Sequence, residues 1–352
     1  MNHKKIIGRG ADDNPANRYD QIYFEEDKET GSVNEKKLKT KFLKDHSKTI
    51  IAYNSSPDIG FDASINPYRG CEHGCIYCYA RPTHEYLGFS AGLDFESRIL
   101  VKRNAAELLK KELLSQKWKP QILAMSGVTD PYQPIEKRLE ITRKCLKVLS
   151  EFRNPVMIIT KNYLVTRDID YLKELAHYHA VRVCVTVTTL DKELVQLMEP
   201  RTSRPGRRLE AVKLLADAGI PVGVSIAPVI PGLNDHEMPE LIKRAVDSGA
   251  QFAFYVPVRL PLAVAPLFEE WLTKYFPDRK EKVLHKVMSL RYGKLNDSRF
   301  GHRFSGHGAY AQQLRSMFDM ACQKAGMKNK WNTLSIDSFH RPYDNKRQLN
   351  LF

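Results

Sequence analysis

The chain has 352 residues, 42% of them hydrophobic and 27% charged, with a formal net charge of +14. That length and balance fit a globular protein with one large core or two modest ones, and a single α/β barrel-like domain of about 200–250 residues is allowed. Neither secretion nor a membrane span is expected: the start, MNHKKIIGRGADDNP, has no apolar stretch, and the longest apolar run, residues 220–233, is interrupted by Pro221, Pro228 and Pro231.

Residues 1–50 are polar and charge-mixed with no sustained period, and they read as an arm laid on the core, with a basic patch of helical character at 36–48. Short β-type runs at 50–53 and 63–65 lead into NPYRGCEHGCIYCYARPTHEY at 66–86. This stretch packs Cys71, Cys75 and Cys78 into eight residues. A C-x3-C-x2-C spacing can curl three thiolates round one corner of a metal cluster from a single loop, and soft thiolates select iron–sulfur or zinc. A structural zinc is closed by four protein ligands, whereas a site that does chemistry keeps a position open. No fourth cysteine lies nearby, since Cys145, Cys184 and Cys322 are isolated. His73 and His84 could complete a zinc site, but the spacing matches no common zinc pattern, and Ile76, Tyr77 and Tyr79 suit a dry cluster pocket better. Six cysteines, three of them clustered, fit a reducing cytoplasm and a metal site rather than a disulfide framework.

Beyond this loop, β-type runs at 121–125, 156–160, 181–188, 221–227 and 252–256 alternate with amphipathic helical stretches at 104–114, 135–152, 169–177, 207–218 and 238–248. Repeated strand–helix units argue for parallel β/α winding. With the strand before the cysteine loop there are six strands, a pattern that permits a six-unit winding without showing whether it closes. In 181–188 the odd positions are all valine, while Arg182, Cys184, Thr186 and Thr188 share the other face. Asp130, Tyr132, Gln133 and Glu136 lie in TDPYQPIE (129–136), on the loop after the second of these strands, and Arg259 follows the last in VPVRLP. They are candidates for substrate contacts, although DPYQP alone is also an ordinary type I turn. PVIPGLND, at 228–235, reads as a sharp turn capping a helix at Asn234 or Asp235.

After residue 260 the pattern is helical, at 263–275 and 279–290. GKLNDSRFGHRFSGHGAY (293–310) then interleaves Arg299, His302, Arg303, His307 and Tyr310, as a lid or nucleic-acid surface would, or as a turn-rich connector to a helix at 309–324. Cys145 and Cys322 fall inside amphipathic helices and are assigned to the core. Residues 271–352 carry 16 Lys and Arg against 6 Asp and Glu, so ten of the fourteen net positive charges lie in the last quarter. That asymmetry favours nucleic acid as partner, because Lys and Arg gain most by releasing phosphate counterions. A solvated charged surface is the alternative.

The cysteine spacing, with Tyr77 immediately before the third cysteine, resembles the signature of the radical S-adenosylmethionine (SAM) superfamily. The wider context, NPYRGCxHGCxYCYAR followed by TDPYQPIE, is similar to the spore photoproduct lyase-like, DNA repair photolyase-related branch, over nearly the whole chain from about Gly8. RGADDNPANRY (9–19) resembles that branch's N-terminal segment, but no chemistry follows from it. The resemblance implies a partial (β/α)6 TIM-type barrel over 51–260, with the arm at 1–50, a helical extension at 261–330 and a flexible tail at 331–352. It implies a [4Fe-4S] cluster on Cys71, Cys75 and Cys78, with SAM chelating the fourth iron. Reductive cleavage of SAM then gives a 5'-deoxyadenosyl radical that abstracts hydrogen, the electron coming from a donor such as flavodoxin or ferredoxin.

In such barrels functional groups gather at the C-terminal strand ends, where Ser126, Lys161, Thr186 and Thr188 would converge. Ser126, Lys161 and Thr186 match the family's contacts to the SAM carboxylate. Tyr77 and the turn beginning at Ile226 match its adenine neighbours. Lys161 has pairing with Asp130 as its alternative. The implied activity is that of a cytoplasmic lyase of the DNA-repair type. Modification of RNA or of a peptide, or a non-catalytic iron–sulfur redox sensor that binds nucleic acid, are the rivals. One departure bears on mechanism: spore photoproduct lyase places a hydrogen-donating cysteine where this chain has Met125. A thioether has no transferable S–H hydrogen, and Cys184 is a weak substitute.

The last five residues, Gln348, Leu349, Asn350, Leu351 and Phe352, resemble the pentapeptide by which bacterial replication and repair proteins dock on the DNA sliding clamp. The polar segment before them is expected to stay extended, which would leave this end free for such a partner.

Overall fold

The computed structural model describes residues 6, 8–19, 38–327 and 333–342. Its strands, in chain order, are β1 (Lys41–Lys44), β2 (Ile51–Tyr53), β3 (Ala63–Ile65), β4 (Tyr68–Arg69), β5 (Arg98–Val101), β6 (Leu123–Met125), β7 (Val156–Thr160), β8 (Val181–Thr186), β9 (Val222–Val229) and β10 (Phe252–Pro257). The helices are α1 (Leu93–Ser97), α2 (Ala105–Leu114), α3 (Glu136–Leu139), α4 (Ile141–Phe152), α5 (Ile169–His177), α6 (Lys192–Met198), α7 (Pro205–Asp217), α8 (Met238–Asp247), α9 (Val264–Tyr275), α10 (Lys280–Ser289) and α11 (Gly308–Ala325).

The main sheet has the order β10-β9-β8-β7-β6-β3-β2. From β3 to β10 each neighbouring pair is parallel, and β2 adds one antiparallel edge. Six parallel strands that neighbour one another in chain order, with β4 and β5 leaving for a second sheet between β3 and β6, are the expected partial barrel. A small sheet of order β1-β5-β4 stands beside it and braces the cysteine loop.

Side-chain alternation decides what faces where. Val181, Val183, Val185 and Val187 enter the main core together with Leu172 and Leu175 of α5 and Ala211 and Leu215 of α7. Each such Val or Leu, fully buried, stabilises the fold by about 1.5–3 kcal/mol. The opposite face of β8 therefore lines the lumen. Gly223 on β9 lets the sheet close up at the lumen floor, since a Cβ there would lie 2.3 Å from the Phe252 ring.

Several expectations are corrected. The single helix at 135–152 is two, α3 and α4, broken where Glu140 adopts φ 52°. Within the basic patch, residues 41–44 form β1, held in parallel register on β5 rather than in a helix. Helix α6 was not expected; Asp191 caps it by accepting from the Glu193 and Leu194 N–H groups. Of the segment expected as a free tail, residues 333–342 lie against the barrel: Phe339 packs on Phe152, and Arg341 donates to the Leu113, Ser115 and Trp118 carbonyls. QLNLF lies outside the described residues.

Candidate active site

The loop that follows β4, just beyond the end of β3, carries the three cysteines at the mouth of the barrel. Cys71 and Cys75 are buried, Cys78 is half-buried, and none forms a disulfide. The loop is tied at several points: the Cys71 N–H donates to the Phe95 carbonyl (2.9 Å) and the Ile76 N–H to the Met198 carbonyl (3.0 Å). Arg81, wholly buried, donates to the carbonyls of Cys75 (3.0 Å), Ala91 (3.1 Å) and Gly92 (2.9 Å) and pairs with the buried Glu96.

Glu96 links this loop to the N-terminal segment for which the sequence offered no chemistry. Its carboxylate accepts from the Gly10 and Ala11 N–H groups, at 3.0 and 2.9 Å. Arg9 donates to the Glu96, Leu38 and Thr40 oxygens, Asp13 accepts from Leu93, and Asn17 reaches the carbonyls of Glu85 and Phe89. Residues 9–17 are thus a strap across the cysteine loop. Its closest approach is at Gly10, where a Cβ would stand 1.7 Å from the Gly74 carbonyl oxygen.

The donor set fits an iron–sulfur cluster held by three thiolates better than zinc. His84 bonds the Arg98 carbonyl and is not free to join the cysteines, while His73, held between Asp130 and Asn162, reaches one of them, Cys71, as a hydrogen-bond neighbour. Among the described residues, no three His, Cys, Asp or Glu side chains converge as they would on a single metal ion. Burial pushes the Cys75 and Cys78 thiols up, with Lys161 acting in the opposite sense on both. Thiols so placed become ligands when a metal displaces their protons.

Behind the loop is a buried polar network. Glu199 accepts from Thr188 (2.6 Å) and from Tyr77 and Arg208, both close. Arg208 is wholly buried and also donates to the Ser203 and Thr186 carbonyls, at 2.7 and 3.2 Å. Burial alone would raise the Glu199 pKa; Arg208, Lys161 and the Thr188 and Tyr77 hydroxyls reverse this and hold it at about 2. The Lys161 ammonium lies 5.9 Å from the Tyr77 ring centre. Thr186 is buried on the lumenal face of β8, and the Ser126 hydroxyl donates to the Thr129 carbonyl at 3.4 Å.

Other expected site residues lie elsewhere. Tyr132, Gln133 and Glu136 are fully buried and committed inside the protein, so they do not face a substrate. Tyr132 donates to Asp168, and Gln133 accepts from the Glu72 N–H and donates to Thr129. Glu136 holds Tyr68, Thr142 and Arg167. Asp130 accepts from Thr160, the Lys161 N–H and the Tyr132 N–H. Burial works against its charge, but His73 and these donors hold its carboxyl below the usual range. The Ile226 side chain packs with Val222 and Val224 in the helix-side core, so Ser225, paired with Thr186, takes the lumenal position there. Asn234 serves the turn rather than a helix: it accepts from the Ile230 N–H and donates to the Thr188 and Pro228 carbonyls. Arg299 and Arg303 pair with Asp297 and Asp58, and His302 is exposed. Glu199, Arg208 and Ser225 were missed by sequence reasoning; for Ser225 the period of two would have found it.

Comparison with known proteins agrees with this geometry. Residues 65–245 match the model of the Radical SAM superfamily. An uncharacterized protein of Mycobacterium tuberculosis is 34% identical over 232 residues, covering 64% of this chain and 68% of that protein. A radical SAM Nalpha-GlyT isomerase of Pseudomonas phage M6 is 25% identical over 247 residues, 69% of this chain and 49% of the isomerase. The structure of spore photoproduct lyase complexed with dinucleoside spore photoproduct has the same fold, with a TM-score of 0.58 at 17% identity over 80% of this chain and 79% of that one. With the three-cysteine loop at the mouth of a six-stranded parallel barrel and the superfamily model matched across that barrel, the chain belongs to the radical SAM superfamily.

Proposed function

We propose that Cys71, Cys75 and Cys78 hold the [4Fe-4S] cluster that membership of the superfamily implies, that SAM binds in the adjoining lumen, and that the enzyme acts on a nucleotide in DNA. Bound and reduced, the cluster and SAM supply a hydrogen-abstracting 5'-deoxyadenosyl radical. The chain's own residues bind, orient and shield. The Lys161 ammonium makes no direct ion pair among the described residues: Glu199 feels its charge from beyond contact distance, and Asp130 takes its main-chain N–H. An ammonium in such a lumen calls for an anion, and the methionine carboxylate of SAM supplies one. Ser126 and Thr186 offer hydroxyls to the same group. Tyr77, fixed through Glu199 and Thr188, forms a wall beside them. Met125 is fully buried in the main core, and Cys184, facing the lumen, is kept protonated by burial, with its pKa at about 12. The spore-lesion reaction is therefore not assigned.

The observation that carries the DNA reading is that the basic C-terminal extension reaches the cluster loop, where Phe304 and Tyr79, the neighbour of Cys78, flank the same guanidinium, Arg259. Support comes from the fold likeness to an enzyme solved with a dinucleoside photoproduct. A flavodoxin or ferredoxin would supply the electron, and QLNLF would recruit the enzyme to the sliding clamp. No helix among the described residues is long and apolar enough to cross a membrane. The test is anaerobic reconstitution, then dithionite and SAM with ultraviolet-damaged DNA or bulk RNA. Release of 5'-deoxyadenosine with an altered DNA nucleotide is expected. An intact cluster without SAM turnover would establish the sensor, and products in RNA alone would exclude DNA.

Lys161→Ala is expected to keep its iron and to lose about tenfold or more in SAM affinity, as follows from removing a charge-assisted bond. Calorimetric titration of the reconstituted variant checks this, and an unchanged dissociation constant would leave Lys161 a structural role.

A further inference from the structure

We propose that Arg259 is the receptor for a phosphate of the substrate, held at the rim of the barrel mouth beside the cysteine loop. This rests on the nucleic-acid reading and gives it a specific anchor. Arg259 follows β10 at the C-terminal end of the barrel and is half-buried. Its guanidinium carbon lies 5.1 Å from the Tyr79 ring centre and 4.7 Å from that of Phe304. Cation–π contacts engage the face of a guanidinium and leave its five N–H donors, which lie in its plane, to be satisfied elsewhere.

Among the described residues no carboxylate or carbonyl takes those donors, whereas the terminal nitrogens of the neighbouring arginines are taken up. Arg303 pairs with Asp58, and Arg299 with Asp297. Arg291, wholly buried, donates to the carbonyls of His302, Arg303, Pro257 and Val258. Those bonds pin the 302–304 turn against the end of β10 and so place Phe304 over Arg259. The nearby carboxylates are already paired; Arg259 is left without one, and so is Arg291, whose Nε is buried without a partner, so two uncompensated cations stand together here. Burial pulls the Arg259 pKa below the usual arginine range. An anion at that point restores what burial takes away.

The surroundings select the class of anion. Tyr79 is 51% exposed and Phe300, under the Arg303 guanidinium, is 57% exposed, so aromatic rings that reach solvent lie beside these arginines. A phosphate flanked by stackable rings is the arrangement that single-stranded or flipped-out nucleotides require. A peptide carboxylate would use the guanidinium and leave the rings idle.

The test measures binding of a fluorescein-labelled single-stranded oligodeoxynucleotide to cluster-reconstituted protein across a salt series, for wild type, Arg259→Gln and Arg259→Lys. Arg259→Gln is expected to bind about tenfold or more weakly at low salt, with the slope of log affinity against log salt reduced by about 0.7–1, one phosphate's worth. Arg259→Lys should recover the slope while losing part of the affinity, because a point charge replaces the fork. Iron content and SAM affinity should be unchanged in both. Wild-type slope and affinity in Arg259→Gln overturn the proposal while leaving the nucleic-acid reading intact. Loss of SAM affinity instead assigns Arg259 to the SAM carboxylate and overturns it. A wild-type enzyme that shows no salt-dependent binding to the oligonucleotide overturns both.

Discussion

Gly10→Val is expected to hold as little iron as Cys71→Ala, Cys75→Ala or Cys78→Ala, although Gly10 lies 61 residues before the first of these cysteines. The cysteine variants lose a ligand, and with it the cluster. Gly10→Val loses the shape of the loop that presents all three. Its Cβ would fall 1.7 Å from the Gly74 oxygen and 2.9 Å from the Gly74 carbonyl carbon, both main-chain atoms that cannot swing aside. Gly74 has little freedom to retreat, for it sits at φ 67° and a Cβ of its own would meet the Glu96 carboxylate at 2.6 Å. The strap cannot retreat without giving up the two N–H bonds to Glu96, and Glu96 is the partner of Arg81, which holds the Cys75 carbonyl. A valine at position 10 therefore either lifts the strap or displaces the segment between Cys71 and Cys75. Iron and sulfide per polypeptide after anaerobic reconstitution, with the visible absorbance of the cluster, read the outcome. Gly60→Ala, where an added Cβ meets nothing within 4 Å, is the matched control and should load normally. Full iron in Gly10→Val would mean that the strap is dispensable to the loop.

The contrast between Gly10 and the cysteines shows what a sequence exposes and what it hides. Three thiols in eight residues announce themselves because their meaning is in their spacing. The same holds for β8, where valine at every second position marked both faces correctly. Glu96 and Arg81, or Glu199 and Arg208, look like ordinary surface charges until the fold brings them into places where neither touches water. Tyr132, Gln133 and Glu136 were misread for the converse reason. Their turn-like context implied exposure, but their partners Asp168, Glu72 and Arg167 come from other parts of the chain. Ile226 was misplaced by motif position, although the period of two on β9 contradicts a lumenal side chain. The break at Glu140 has no local signal, since glutamate at φ 52° is maintained by tertiary packing rather than by preference.

Arg208→Met is expected to be the most destabilising single exchange in the lumen network, costing about 3–5 kcal/mol, because it leaves the Glu199 carboxylate buried without its cation. Four oxygens lose a donor at once: the Glu199 carboxylate, the Ser203 and Thr186 carbonyls and the Thr202 hydroxyl. Glu199 must then take up a proton or draw in water, and either change loosens the hydroxyls of Tyr77 and Thr188 that it holds at the mouth. The pair also sets the acid limit of the fold. In the folded chain the Glu199 pKa is about 2, below the value of about 4.3 expected when unfolded. A depressed carboxylate pKa contributes stability that is fully present above the unfolded value and is lost as pH falls from about 4.3 towards about 2, here of the order of 3 kcal/mol. Denaturant unfolding of wild type and Arg208→Met between neutral pH and the onset of acid unfolding checks both statements. The variant should be less stable at neutral pH by the stated amount, and its stability should fall less steeply on acidification, since the group whose charge was being protected no longer has its partner. The double variant Glu199→Gln/Arg208→Met should recover part of the loss, because an amide is far cheaper to bury than an unpaired carboxylate. Equal stability of Arg208→Met and wild type, or parallel pH profiles, would mean that Lys161 and the two hydroxyls suffice to hold Glu199. The buried arginine would then serve only the carbonyls of the turn it touches.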